Sequence, residues 1–252
     1  MTNDNGIFQY ALSLGDNNLI LGQRLSAWCG HGPVLEEDIA ITNTALDLIG
    51  QARLWLSCAT EIEDKGRDED QLAFLRDAHD FRNVLLVEQP NGDFAETLAR
   101  QFYFDAWHYL LLDGLGRSSD SRFADISSKA LKEVAYHLQR SSDWVLRLGD
   151  GTEESHARMQ TALDGLWMYT GELFEMSGNE KALAERGIAC DAQQLREPWL
   201  NLVQHVLTDA TLQMPSAGWM QRGGRDGQHT EHLGYLLAEM QFLQRAYPGA
   251  QW

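Results

Sequence analysis

Between widely spaced prolines, the apolar residues of this 252-residue chain recur at steps of three and four, the period of α-helix and not the alternation of strand. The spacing predicts helices over residues 7–31, 35–64, 70–88, 94–116, 119–148, 153–176, 191–212 and 231–246. Turn-forming clusters divide them at Gly30-His31-Gly32-Pro33, Pro90-Asn91-Gly92, Gly149-Asp150-Gly151 and Gly223-Gly224, and Thr152 or Ser155 is placed to cap the helix after the third. In 35–64, Ile41, Ala45, Leu48, Ala52, Trp55 and Ala59 follow steps of 4, 3, 4, 3 and 4 and define one core face. Leu98, Phe102, Asp105, Tyr109 and Leu112 obey the same rule in 94–116, so an acid sits inside an apolar stripe. Several long helices around one core predict an all-α bundle, read as a single domain over 1–252.

A carboxylate in a core stripe must be paired, hydrogen-bonded or neutralised. In helical bundles one sharp explanation is a di-iron or di-manganese centre, which needs two lone Glu and two Glu-x-x-His pairs from four helices, because i and i+3 share a helix face. Of the eight histidines, only His156 has a Glu three residues before it, and Glu153-x-x-His156 falls in the first turn of a helix, where the plain reading is a solvated helix start. Asp105-x-x-His108 lies in mid-helix and is a better half-site. Glu133 and His137, at i and i+4, are open to two readings, inward-facing or a surface or interface pair, and Asp47 is a comparable case. The sixth helix, due to supply the second metal pair, reads Leu163-Asp164-Gly165-Leu166-Trp167-Met168 instead, and an indole nitrogen is a donor that cannot ligate iron. The expectation is a vestigial polar core cluster of Asp47, Asp105, His108, Glu133 and His137 whose groups satisfy one another, with no catalytic, cofactor-binding or metal-ligating residue assigned. His229-Thr-Glu-His232 lacks a nearby third ligand and reads as a helix cap with hydrogen bonds.

Charge and composition narrow the function. A formal charge of −17 and a pI near 4.7 disfavour nucleic acid, which is bound by Lys and Arg on phosphates. The longest apolar runs, such as Val84 to Val87 and Leu110 to Leu112, are far short of a membrane span. The start Met1-Thr-Asn-Asp-Asn lacks a secretory pattern, and Cys29, Cys58 and Cys190 are odd in number and far apart, so the expected compartment is the cytoplasm. Dinucleotide, P-loop, nucleophile-elbow and Cys-x-x-Cys motifs do not occur.

Longer motifs carry a resemblance. Leu14-Gly-Asp-Asn-Asn-Leu-Ile-Leu-Gly-Gln-Arg-Leu, Leu46-Asp-Leu-Ile-Gly-Gln-Ala-Arg, Leu85-Leu-Val-Glu-Gln-Pro-Asn-Gly-Asp-Phe-Ala, Arg100-Gln-Phe-Tyr-Phe-Asp-Ala-Trp-His, Lys132-Glu-Val-Ala-Tyr-His-Leu, Gly227-Gln-His-Thr-Glu-His-Leu-Gly and Pro248-Gly-Ala-Gln-Trp252 resemble the C-type structural subunits of phenylacetyl-CoA 1,2-epoxidases. The resemblance runs from about residue 8 to the last residue. It implies a ferritin-like helical bundle with additional flanking helices, related to the catalytic A-type subunit. That partner carries di-iron, binds phenylacetyl-CoA, activates O2 and forms the ring epoxide, with electrons from a reductase using NADPH, flavin and an iron–sulfur cluster. The family further implies a non-catalytic role in bacterial aerobic phenylacetate degradation, with no cofactor in this chain and with the catalytic and other epoxidase subunits as partners. On that reading the chain is part of an NADPH-dependent monooxygenase and inactive alone. The alternative is an autonomous di-iron oxidase or oxygenase built on Asp47, Asp105, His108, Glu133 and His137.

Overall fold

A computed structural model describes residues 3–216 and 218–250, so Met1, Thr2 and the Gln251-Trp252 end of the terminal motif lie outside the described residues. Among the described residues there are ten α-helices, short 3-10 turns and no strand. The chain divides into two compact units, Met1–Gln89 with Gly223–Trp252, and Pro90–Arg222.

The first unit is built on an antiparallel pair, α1 (Asn3–Ser26) and α2 (Leu35–Glu63). Two glycines let them approach: a Cβ at Gly15 would stand 2.7 Å from Leu56 Cδ2, and one at Gly22 would stand 3.3 Å from the Ala45 carbonyl oxygen. From Tyr10 to Gly22 every residue of α1 is buried, as befits a helix apolar on all sides. Its Asp16, Asn17 and Asn18 are therefore buried as well and need partners. Asp16 takes a two-pronged bond from Arg76 and a third from the Arg82 N–H at 2.9 Å, while Asn17 Oδ1 accepts the Val84 N–H at 2.8 Å.

These bonds explain a departure from expectation. The helix predicted over 70–88 is instead α3 (Glu69–Phe74) followed by 3-10 turns at Ala78–Asp80 and Leu85–Glu88, with extended backbone at Phe81 and Val84. Side chains of α1 capture the backbone N–H groups that a continuing helix would need. The predicted helix 231–246 is likewise two, α9 (Glu231–Met240) and α10 (Phe242–Ala246), interrupted at Gln241, whose amide donates to the carbonyls of Ala73 and Arg76 at 3.0 Å each. The first helix stops at Ser26, short of the predicted residue 31.

The second unit centres on α4 (Phe94–Leu115), continuously buried from Thr97 to His108, with α5 (Ser121–Gly149), α6 (Glu153–Trp167), α7 (Gly178–Glu185) and α8 (Arg196–Asp209) around it. Reciprocal capping boxes start three of these helices: Asp93 with Glu96, Thr152 with Ser155, and Ser177 with Glu180. The predicted helix 153–176 ends at Trp167 because Thr170 bonds back to the Trp167 carbonyl, through its hydroxyl at 2.8 Å and its N–H at 3.0 Å, and Gln221 N–H takes the Met168 carbonyl at 2.8 Å. Helix α7 was absent from the sequence-based expectation, and the region expected as helix 191–212 is a 3-10 turn, Ala192–Leu195, leading into α8.

The Asp16–Arg76 pair yields a stability prediction. Asp16→Ala leaves a nearly buried guanidinium without its carboxylate and should cost about 3–5 kcal/mol. Asp16→Ala/Arg76→Met together should cost less than the sum of the two single changes, measured by urea denaturation in a double-mutant cycle. Simple additivity would show that the two side chains are not energetically coupled.

Candidate functional site

Four of the five expected cluster residues fall in the second unit, and Asp47, half-buried on α2, belongs to the first. Asp105 on α4 is fully buried, as its place in the apolar stripe requires. Its two oxygens face different helices: Gln101 Nε2, one turn earlier on α4, donates to Oδ1 at 2.6 Å, and Ser141 Oγ on α5 donates to Oδ2 at 2.9 Å. His137 lies in the buried face of α5 with Ala130, Val134, Ser141 and Val145, whereas Glu133 is half-buried. His108 is buried between rings, with Phe104 at 5.0 Å and Trp107 at 6.3 Å centroid distance, and its Nδ1 has no hydrogen-bond partner. Asp105 and His108 share a helix face in sequence, yet the hydrogen bonds of Asp105 go to Gln101 and Ser141.

Burial sets the electrostatics. It raises Asp105 from 3.8 to about 6, against the opposing pull of His137, the bonds from Ser141 and Gln101, and Arg140. Burial also lowers His108 from 6.5 to about 3, with the neighbouring charge of His137 acting in the same direction.

The donor set does not match a di-metal centre. Such a centre asks for four carboxylates and two histidines, and among the described residues no group of three or more His, Cys, Asp or Glu side chains is arranged to hold a metal ion. On α6, where a second Glu-x-x-His would be needed, Trp167 stacks on Trp199 at 5.6 Å and meets Tyr103 edge-on at 5.7 Å. Trp199 Nε1 in turn donates to the Tyr103 carbonyl at 3.0 Å, so this space is filled by a bonded aromatic cluster. The lone Glu153-x-x-His156 is also accounted for: Glu153 is exposed, and His156 Nδ1 lies 2.7 Å from the carbonyl of Gly149, the last residue of α5.

A second polar network, in the first unit, joins His229, expected from sequence to belong to a helix cap with hydrogen bonds, to Glu88, which that reading did not single out. Glu88 is fully buried, accepts Asn83 Nδ2 on Oε2 at 3.0 Å and the Thr230 N–H on Oε1 at 2.7 Å, and lies 2.9 Å from His229 Nδ1. His229 Nε2 is 3.1 Å from the Phe81 carbonyl, so the imidazole bridges two segments of the chain, and Arg24 grips the Glu88 carbonyl from α1. The available signal was Glu88 closing the apolar run Val84 to Val87, which marked a charge about to be buried.

The two shifted groups predict opposite pH effects. Between 3.8 and about 6 the folded chain holds the Asp105 proton more tightly than the unfolded chain, so Asp105 withdraws stability as pH rises through that window. At full burial this is on the order of 3 kcal/mol. His108 is kept neutral by folding, so it contributes stability that is present above about 6.5 and lost as pH falls toward about 3. Urea midpoints across this range should show the stability of wild type relative to Asp105→Asn falling with rising pH, and relative to His108→Gln rising. A parallel pH dependence in all three proteins would mean that neither group is held away from its ordinary value.

The family described as "Phenylacetic acid catabolic protein" matches residues 1–252. The chain is 52% identical over 248 residues, 98% of its own length and 100% of the relative's, to the C subunit of the 1,2-phenylacetyl-CoA epoxidase of Escherichia coli (strain K12). The all-helical secondary structure is that of the ferritin-like helical bundle with flanking helices found in this family. A full-length family match and an identity this high over the whole relative are decisive: the chain belongs to the phenylacetic acid catabolic protein family.

Proposed function

We propose that this chain is the non-catalytic C-type subunit of a bacterial phenylacetyl-CoA 1,2-epoxidase, acting in the cytoplasm in aerobic phenylacetate degradation. It pairs with and supports a homologous di-iron catalytic subunit. The observation that carries the reading is the 52% identity to the C subunit of such an epoxidase along that protein's entire length. The geometry supports it, since the buried carboxylate Asp105 bonds to an amide and a hydroxyl, and Trp167 occupies the place where a metal-binding pair would be required. On this reading Asp105, His108, Glu133 and His137, with Asp47, are structural groups. The chain itself holds no cofactor, and the complex draws on di-iron in the catalytic subunit and on NADPH, flavin and an iron–sulfur cluster in a reductase. Among the described residues no helix is long and apolar enough to cross a membrane. The reading of the chain as a single functional domain is supported by a family match that runs over residues 1–252.

A second reading, an autonomous di-iron oxidase with an atypical ligand set, draws on the buried His108 Nδ1, which lacks a hydrogen-bond partner. Elemental analysis separates the two. After aerobic purification and iron reconstitution the isolated chain should hold no stoichiometric iron or manganese and should leave phenylacetyl-CoA unoxidised. Epoxidation by the catalytic subunit and reductase should depend on adding this chain. Two tightly held irons per chain, or full turnover without it, would overturn the scaffold reading.

A further inference from the structure

Helix α2 carries a second apolar stripe beside its buried face. One face, Ile41, Ala45, Leu48, Ala52 and Trp55, is buried within the chain. In the second stripe, Leu35, Ile39, Leu46 and Ile49 are 71%, 51%, 61% and 37% exposed, and Val34 at the helix start is 53% exposed. Positions 35, 39, 42, 46, 49 and 53 advance by 4, 3, 4, 3 and 4, with Thr42 and Arg53 completing the stripe. That is the seam by which one helix packs along another, and a helix with two apolar stripes is stable in water only when both are covered.

Gly50 supplies an independent observation. It lies in the middle of α2, where glycine is disfavoured relative to alanine, and a Cβ there would meet nothing within 4 Å. At Gly15 and Gly22 the absent side chain makes room for α2 within this chain, but among the described residues nothing needs the space at Gly50, one turn after Leu46. A surface that gives up a side chain on an apolar seam makes room for a close approach from outside.

Charge selects the occupant. Glu36, Glu37 and Asp38 crowd the start of the stripe, exposed Glu61 follows near its end, and Arg53, the basic residue of α2, is held by Glu69 at 3.0 Å. A second copy of a chain with a formal charge of −17 would bring acid against acid. We propose that Leu35, Ile39, Leu46, Ile49 and Gly50 form the docking seam for a long amphipathic helix of the catalytic subunit, one with apolar residues at steps of three and four and with basic flanks. This rests on the pairing given under Proposed function and names the surface through which it occurs.

The full chain co-expressed with the catalytic subunit provides the test, by co-elution and by titration of the purified chains. Leu46→Arg and Gly50→Arg should keep the helical circular dichroism of the free chain and weaken association by about tenfold or more. Tyr235→Arg, at an exposed position of α9, should associate as wild type does. Gly50→Ala, which cannot unfold the helix, should raise the melting temperature of the free chain while weakening the complex, and so serves if the arginine variants misfold. Wild-type affinity in the stripe variants would overturn the seam and leave the pairing standing, whereas failure of the wild-type chain to bind the catalytic subunit would remove the pairing itself. A wild-type chain that self-associates, and becomes monomeric on Leu46→Arg, would assign the seam to a second copy and overturn the proposal.

Discussion

A carboxylate taken out of water must find donors of its own, and three fully buried ones, Asp16, Glu88 and Asp105, organise the fold around that demand. Asp16 reaches from α1 to Arg76 and the Arg82 N–H, thereby fixing the path of residues 76–84. Glu88 draws in His229 and the Thr230 N–H, which anchors the start of α9 to a segment more than a hundred residues earlier. Asp105 fastens α4 to α5 through Ser141. Removing one donor from such a network leaves the full desolvation penalty of the carboxylate behind, so each network holds its segments more firmly than its count of bonds suggests.

The same demand separates a scaffold from an enzyme. In a di-metal bundle the inward carboxylates are satisfied by the ions, and the protein donors stay in reserve around them. Here the donors are Arg76, Asn83, Gln101, Ser141 and backbone N–H groups, which act locally. On the proposed reading, buried acids satisfied in this way serve the architecture, and the chain contributes to the reaction through its surface. The seam proposed on α2 would give that surface a location.

The long helices were legible because the signals for each lie within the helix. Periodicity and turn residues placed α2, α4 and α5 to within a few residues, and the Asp105 anomaly was visible as an acid on an apolar stripe. The rest was written in partners far away in sequence. Nothing near residue 82 announces that Asp16, 66 positions earlier, will take its N–H, so the helical pattern of 70–88 misled. Glu88 and His229 are separated by 141 positions, and neither carries a local mark of the other. Helix α7 is different: Ser177-x-x-Glu180 is a capping signature that could have been read from sequence alone.

Perturbed titration alone does not make the Asp105 cluster a reactive site. Strong shifts concentrate at catalytic centres because such centres hold an acid and a base poised near the working pH. At Asp105 and His108 burial moves each group toward neutrality, the carboxyl up to about 6 and the imidazole down to about 3. Near pH 7 the carboxyl is then ionised and the imidazole neutral, the same states both hold in water. A carboxyl at about 6 is within the range used by catalytic acids and bases, so titration does not decide the matter, whereas the geometry shows both oxygens of Asp105 accepting bonds from Gln101 and Ser141. What burial changes is the energy of the folded state, and because the two groups act on it with opposite sign, the cluster's net dependence on pH is smaller than that of either member. The bond from Ser141 makes Asp105 a joint between α4 and α5 whatever its protonation state.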